Sequence, residues 1–271
     1  MLIIIPLTGA AVLLIGCLLA AQTLYVTRPT IYLPGKWQGT VVQLTDIHGR
    51  IRYLNGTLSK LVNEIRPDIV MVTGDLASRT TEWPRVLREL RQIDCPHIWF
   101  VPGNYERETV SKLHKRTLTL DEYTELMDVL QQQGITVLGN QEAQLTIGQQ
   151  KLLVYGFDNS IYGNERINTS LKALAADDPY VIMLAHSPTI IDTLGEEQLH
   201  FDLLLTGHTH GGQIRLFGRT IGAYRNYHVG LKRLPGNRYF YISRGLGTVK
   251  IPLRLGCPPE IAVFKIGEER P

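Results

Sequence analysis

Five short blocks of oxygen- and nitrogen-bearing side chains, each placed at the end of an apolar run, constrain this chain more than any other feature. Val41 to Leu44 leads into Asp46-Ile47-His48, Ile69 to Val72 into Gly74-Asp75, and Ile98 to Val101 into Gly103-Asn104. Val181 to Ala185 leads into His186, and Phe201-Asp202-Leu203-Leu204-Leu205 into Gly207-His208-Thr209-His210-Gly211-Gly212-Gln213. Short apolar runs of this kind read as buried strands. Open α/β sheets bind their ligands outside the carboxyl ends of their strands. Each strand therefore delivers ligand atoms at its tip, and the chain has to fold so that those tips meet.

Taken singly, each residue has a plainer explanation. Asp46 and Asp75 could merely end strands, and His186 before Ser187-Pro188 could enter a helix. The ordered set is what argues for a metal site. His97, His114, His200 and His228 belong to no block, and structural or solvated roles are expected for them.

The order Asp-x-His, Gly-Asp, Gly-Asn, His, Gly-His-x-His resembles the calcineurin-like metallophosphoesterases. The tail Ser243-Arg244-Gly245-Leu246-Gly247, followed by Pro258-Pro259-Glu260, is similar to the membrane-linked bacterial branch of that family. The resemblance implies an α/β/β/α sandwich with two mixed sheets, where the sequence alone argues only for α/β. It assigns Asp46, His48, Asp75 and His210 to one divalent ion, and Asp75, Asn104, His186 and His208 to a second, so that Asp75 bridges them. Asp, His and Asn donors suit Mn²⁺, Fe²⁺ or Zn²⁺. Two ions about 3.5–4 Å apart lower the pKa of a bridging water and hold both phosphate oxygens, which sets up in-line attack on phosphorus. Asn104, Tyr105 and His186 are the expected catalytic residues, and Arg50, Asn104 and Arg244 are expected to hold the phosphate.

One block departs from the family pattern. Gly-Asn is usually followed by a histidine thought to protonate the leaving group, and here it is followed by Tyr105-Glu106. A phenol with a pKa of about 10 stays protonated at neutral pH, so it can donate a hydrogen bond. It is a weaker acid than imidazolium and suits leaving groups that depart as stable anions. Aromatic packing beside the metals is the alternative for Tyr105, and His114 is the alternative acid.

The N-terminus is apolar from Leu2 to Ala21, and the run reaches Val26 with Gln22 and Thr23 as interruptions. A stretch of about 20 apolar residues can span a bilayer. No Lys or Arg precedes Arg28, which disfavours a secretory signal. Leu14-Ile15-Gly16-Cys17 also fits a lipoprotein cleavage box. The expectation is a transmembrane anchor over 1–27, a linker and first edge over 28–40, a catalytic domain over 41–271, and a single-pass place in the cell membrane with the side open. Cys17, Cys95 and Cys257 have no metal-type spacing.

The net charge is +3, and its distribution matters more. Between Gln213 and Pro259 there is no Asp or Glu, while Arg215, Arg219, Arg225, Lys232, Arg233, Arg238, Arg244, Lys250 and Arg254 all occur. Such a region gathers anionic substrate or rests on anionic headgroups, or is simply solvated. No groove-reading motif points to nucleic acid.

Periodicity predicts helices over 57–66, 82–92 and 121–133, a helical stretch over 171–176, and a hairpin pairing 143–147 with 151–155. Strands are expected at 68–73, 97–101, 135–138, 180–185, 239–242 and 261–266. The early βαβαβ order implies a parallel sheet with right-handed crossovers. Residues 107–120 are polar without a clear period and read as a surface loop near the site. The leading function is a membrane-anchored phosphohydrolase acting on phosphodiesters or diphosphates, including amphiphilic, lipid-linked ones. The alternatives are a phosphoprotein or nucleotide phosphatase, and a scaffold that keeps the fold for protein binding.

Overall fold

The computed structural model describes residues 4–111, 114–168, 171 and 177–269, with backbone alone for 4–13 and 111. Twelve strands form two six-stranded sheets. In chain order they are β1 (Thr30–Leu33), β2 (Gly39–Leu44), β3 (Ile69–Thr73), β4 (His97–Val101), β5 (Ile135–Val137) and β6 (Gln141–Ile147). There follow β7 (Gln150–Gly156), β8 (Tyr180–Leu184), β9 (Leu203–Thr206), β10 (Gly230–Leu234), β11 (Arg238–Ile242) and β12 (Ala262–Ile266).

The first sheet has the order β1-β12-β2-β3-β4-β5, and the second β6-β7-β8-β9-β11-β10. β2 to β5 run parallel, as do β7, β8, β9 and β11. The antiparallel pairs are β12 with β2, β6 with β7 and β10 with β11, so both sheets are mixed.

Central strands are apolar on both faces because both faces are covered. Val41, Ile69, Met71 and Val101 point between the sheets and meet Val154, Ile182, Leu184, Leu203 and Leu205. Their neighbours Val42, Val70, Val72 and Phe100 point outward onto Leu58, Leu61, Val86, Leu90 and Leu130. On the far side Val181, Met183 and Leu204 meet Ile190, Leu194 and Phe201. This is the two-sheet sandwich with helices outside. The helices are α1 (Ile4–Leu24), α2 (Leu58–Asn63), α3 (Trp83–Leu90), α4 (Leu120–Gln132) and α5 (Ile190–Glu196). Thr57 caps α2 through Lys60 N, and Thr119 caps α4 in a reciprocal capping box with Glu122. Residues 172–176 of the expected helical stretch lie outside the described residues.

The membrane span is corrected. Among the described residues no helix is long and apolar enough to cross a membrane, so the single-pass localisation does not stand. The last part of the apolar run belongs to the folded domain instead. Thr23 is buried and its Oγ1 accepts Arg254 N at 2.9 Å. Leu54 N donates to Leu24 O at 2.9 Å, Val26 lies in the core, and Thr27 bridges Glu260. The lipid-linked substrate leaned on that anchor and loses its support with it.

Residues 107–120 also differ from expectation. Glu108–Ser111 pairs antiparallel with His114–Thr117. Val110 N donates to Ser78 O at 2.9 Å, and Glu108 and Thr109 are buried. The buried positions of this hairpin are polar, so hydropathy gives no period to read.

A second small hairpin pairs Arg215-Leu216 with Arg219-Thr220. Its central residues, Phe217 and Gly218, have φ of +50° and +76°, and Phe217 is fully exposed at 103 %. Turns with two positive φ values favour Asn-Gly, and a bulky residue there is an outlier. Phe217→Asn is therefore expected to stabilise the fold by about 1 kcal/mol, raising the thermal midpoint by about 2–4 °C for a domain of this size. A midpoint unchanged or lowered in a calorimetric scan would show that the ring is held by a contact in solution.

Candidate metal centre

The parallel strands of both sheets point their carboxyl ends the same way. Asp46 and His48 follow β2, Asp75 follows β3, and Asn104 follows β4. From the other sheet His186 follows β8, and His208 and His210 follow β9. The loops are stitched together by backbone bonds: Asp46 N to Gly74 O and His48 N to Asp75 O, both at 3.0 Å, and Gly207 N to His186 O at 3.0 Å. Between sheets, Gln43 Nε2 donates to Thr206 O, and His208 N donates to Asp46 Oδ2, each at 3.0 Å.

Five of these side chains stand on left-handed backbone: Asp46, His48, Asp75, His208 and His210 have φ between +46° and +65°. Non-glycine residues there cost energy and cluster at functional sites. Two glycines allow the crowding. A Cβ on Gly207 would meet Thr45 Oγ1 at 2.1 Å, and one on Gly74, at φ +84°, would meet Gly103 N at 2.6 Å.

The ligand atoms fall into two groups, Asp46/His48/His210 and Asp75/His186/His208, with the atoms of each lying within 4.8 Å of one another. In the first, His210 Nε2 is 3.2 Å from Asp46 Oδ1 and 3.1 Å from His48 Nε2. In the second, His186 Nε2 is 3.2 Å from both Asp75 Oδ2 and His208 Nδ1. Asp75 Oδ2 also lies 3.6 Å from His48 Nε2, so it faces both groups.

The residues fit a metal pair. Asp46 Oδ1 and Asn104 Oδ1 are buried without a hydrogen-bond partner, a costly condition for a polar atom. Imidazole nitrogens converge in pairs, which one shared cation satisfies. Three of the rings have an acceptor in reach of the other nitrogen, as metal-binding histidines require. His48 Nδ1 meets Ser78 Oγ at 2.8 Å and His208 Nε2 meets Tyr224 OH at 3.3 Å, while His210 Nδ1 faces Arg254 Nη2 at 3.4 Å, a group that only donates. His186 Nδ1 lies 2.7 Å from Thr73 O; a carbonyl only accepts, so Nδ1 donates and leaves the Nε2 lone pair facing inward. Burial pushes the Asp46 carboxyl up, but the histidine charges around it outweigh this and hold it well below the usual range. Burial pushes His208 down to about 4, which keeps it neutral.

Of the expected phosphate-holding residues, Asn104 lines the cleft over the metal groups, a cavity of about 280 Å³ shared with Tyr105, Lys115, Tyr224 and Lys250. Arg50 and Arg244 do not line it, and this corrects the sequence reading. Arg50 faces a separate cavity beside His48 and binds Thr23 O and Thr248 Oγ1. Arg244 is held by Glu260 through Nε at 2.6 Å and by Thr27 Oγ1. The guanidinium therefore has its counter-charge within the fold. Tyr105 stands edge-on to His48, ring centroids 4.8 Å apart. Burial, then the Asp75 and Glu108 charges, pushes its phenol up to about 12, so it stays a donor. His114 is exposed on the outer strand of the hairpin.

Three supporting residues escape sequence reading. Glu106 is fully buried and accepts from Asp75 N and Leu76 N, both at 2.8 Å, and from Gly103 N at 2.6 Å, tying two ligand loops together. Burial, then the Asp75 charge, pushes its carboxyl up to about 7. Arg254 is fully buried and donates to Gly247 O, His210 O and Cys257 O. Glu260 accepts from Tyr241 OH, Ser243 Oγ and Arg244 N. Glu106 and Glu260 had a signal, one in the Gly103-Asn104-Tyr105-Glu106 block and the other in the Pro258-Pro259-Glu260 tail, and Arg254 had none beyond its basic stretch. Glu106→Ala leaves three buried N–H groups bare. At about 1–3 kcal/mol each, urea unfolding is expected to show a loss of at least about 3 kcal/mol. A loss below about 1 kcal/mol would mean that water replaces the carboxylate.

A two-sheet sandwich whose strand tips gather two Asp/His groups is the architecture of a two-metal phosphoric ester hydrolase. The chain belongs to the calcineurin-like phosphoesterase family, whose model matches residues 39–212. It is 27 % identical over 247 residues to the uncharacterized metallophosphoesterase YkoQ of Bacillus subtilis, covering 86 % of each chain. It is 30 % identical over 238 residues to an uncharacterized metallophosphoesterase of Helicobacter pylori (strain J99), covering 83 % of this chain and 59 % of that protein. Among solved structures, the NAD nucleotidase of Haemophilus influenzae shares the fold with a TM-score of 0.52 at 15 % identity, over 78 % of this chain and 45 % of that one. The family uses two divalent metals, and the two groups fit them.

Proposed function

We propose that this chain hydrolyses phosphodiesters or diphosphate esters at a centre in which Asp46, His48 and His210 hold one ion, His186, His208 and Asn104 hold the other, and Asp75 serves both. The observation that carries the reading is the pair of buried, unpartnered oxygens, Asp46 Oδ1 and Asn104 Oδ1, one in each half of the site. When bound, two divalent ions supply a nucleophile from water at neutral pH and stabilise charge on the phosphate oxygens. Mn²⁺, Fe²⁺ and Zn²⁺ suit this donor set.

The side chains around the ions have separate tasks. Asp75 keeps one oxygen toward both groups while its Oδ1 accepts Tyr105 N at 2.8 Å. Asn104 keeps its Oδ1 buried without a hydrogen-bond partner, which leaves that oxygen for the ion. Tyr105 holds its proton at the cleft and offers it to the leaving oxygen. A phenol is a weak acid, and this favours esters whose leaving group departs as a stable anion, such as a phosphate or an aryl oxide.

Turnover of bis(p-nitrophenyl) phosphate by the purified chain loaded with Mn²⁺, with and without chelator, tests the proposal. Release of nitrophenolate that stops on chelation and returns with Mn²⁺ is the expected result. No turnover with any of the three metals, at two ions per chain, would overturn it.

A further inference from the structure

We propose that Lys115 and Lys250 form a two-cation subsite in the metal cleft that binds a second anionic group of the substrate, so that diphosphates are held in preference to compounds with a single phosphate. The inference rests on the phosphohydrolase reading and names the substrate chemistry of the same site.

Both lysines line the cleft together with Asp75 and Asn104. They arrive from separate elements, and each element is fastened. Lys115 sits on the hairpin that Val110 N ties to Ser78 O and Thr109 Oγ1 ties to Thr80 N. It pairs with Glu108, a buried carboxylate of the same hairpin. Lys250 follows Val249, whose N and O are both gripped by the Gln213 side chain, at 2.6 and 3.0 Å. Gln213 closes the same turn that carries His208 and His210, so the metal turn itself presents Lys250. The lysine backbone is left-handed there, at φ +62°.

The two cations lie close enough to sense one another. Burial lowers the Lys115 ammonium, Asp75 opposes that, and the Lys250 charge lowers it further. Among the described residues no carboxylate pairs with Lys250, and the sequence holds no acid between 213 and 259. Glu108 pairs with Lys115, and among the described residues Lys250 is left without a paired carboxylate, which favours an anionic ligand in the cleft. The ions take the phosphorus under attack, and a neighbouring phosphate needs its own counter-charge, for which lysine ammonium groups are suited point charges. A simple diester has no second anion to offer them.

The test compares ADP and AMP as competitive inhibitors of bis(p-nitrophenyl) phosphate hydrolysis, at fixed free Mn²⁺. In the unaltered chain ADP is expected to bind at least about tenfold tighter, since a hydrogen bond to a charged group is worth about that factor. K250M is expected to shrink the ADP/AMP ratio by about the same factor, and K250R to restore it. K115M alone leaves the Glu108 carboxyl without its ion-pair partner, so K115M/E108Q is the informative variant, and it is expected to shrink the ratio too. Equal binding of ADP and AMP to the unaltered chain would overturn the subsite, as would variants that keep the full ratio. If no ester is turned over, the phosphohydrolase reading fails instead. The ADP/AMP ratio measured by calorimetry on Mn²⁺-loaded protein then still decides the subsite.

Discussion

Asp75→Asn is expected to strip at least one ion from the purified chain and to remove nearly all turnover. Asp75 faces both ligand groups, with Oδ2 at 3.2 Å from His186 Nε2 and 3.6 Å from His48 Nε2. Asparagine keeps the shape and can still accept Tyr105 N, so the loop holds. What disappears is the negative charge shared by two cations in a buried place. Losing a mere supporting partner of a metal ligand costs about 10–100-fold in affinity or activity, and losing a shared ligand is expected to exceed that. The check is elemental analysis after Mn²⁺ loading and desalting, alongside a thermal scan. A variant that folds, keeps two ions per chain and retains more than about a tenth of its activity would sink the shared-ligand assignment.

Exchanges at Tyr105 are expected to change which leaving groups are accepted. The phenol lines the cleft next to Asn104 and stays protonated, so it donates but gives up its proton reluctantly. Tyr105→Phe is expected to leave aryl esters hydrolysed within a few-fold, because a nitrophenolate departs without help. Tyr105→His introduces a stronger acid where the family usually has one. It is expected to speed alkyl esters by up to the roughly 10²–10⁴-fold typical of general-acid assistance. It also adds a limb to the pH profile where imidazolium titrates, the gain fading as pH rises and the proton is lost. The measurement is the ratio of alkyl to aryl ester rates in both variants. Loss of both activities in Tyr105→Phe with two metals still bound would make the phenol essential to the shared step, contrary to this view.

Much of the centre was legible because it is local. A strand that is buried on both faces must be apolar throughout, and a ligand at its tip must follow at once. Val41 to Leu44 with Asp46 and His48, or Leu203 to Leu205 with His208 and His210, therefore stand out in a single pass. The same locality makes β3, β4 and the β6–β7 hairpin come out within a residue or two of expectation.

Features that join distant residues were not legible. The Arg244 guanidinium reads as a phosphate binder in the sequence, yet Glu260, 16 residues on, holds it. Arg254 reads as one more basic residue of a solvated stretch, and it is wholly buried against carbonyls of three loops. The apolar run ending at Val26 reads as one span, and its last turn docks on Arg254, more than two hundred residues away. Lys115 lay in a segment without period.

By itself, then, the sequence determined the α/β class and the candidate ligands at the strand tips, since apolar pattern and donor identity are properties of neighbours. Which charges face the cleft and which are neutralised inside the fold was decided only by tertiary structure, because a charge takes its role from what stands within a few ångströms of it, and here those partners come from the far end of the chain.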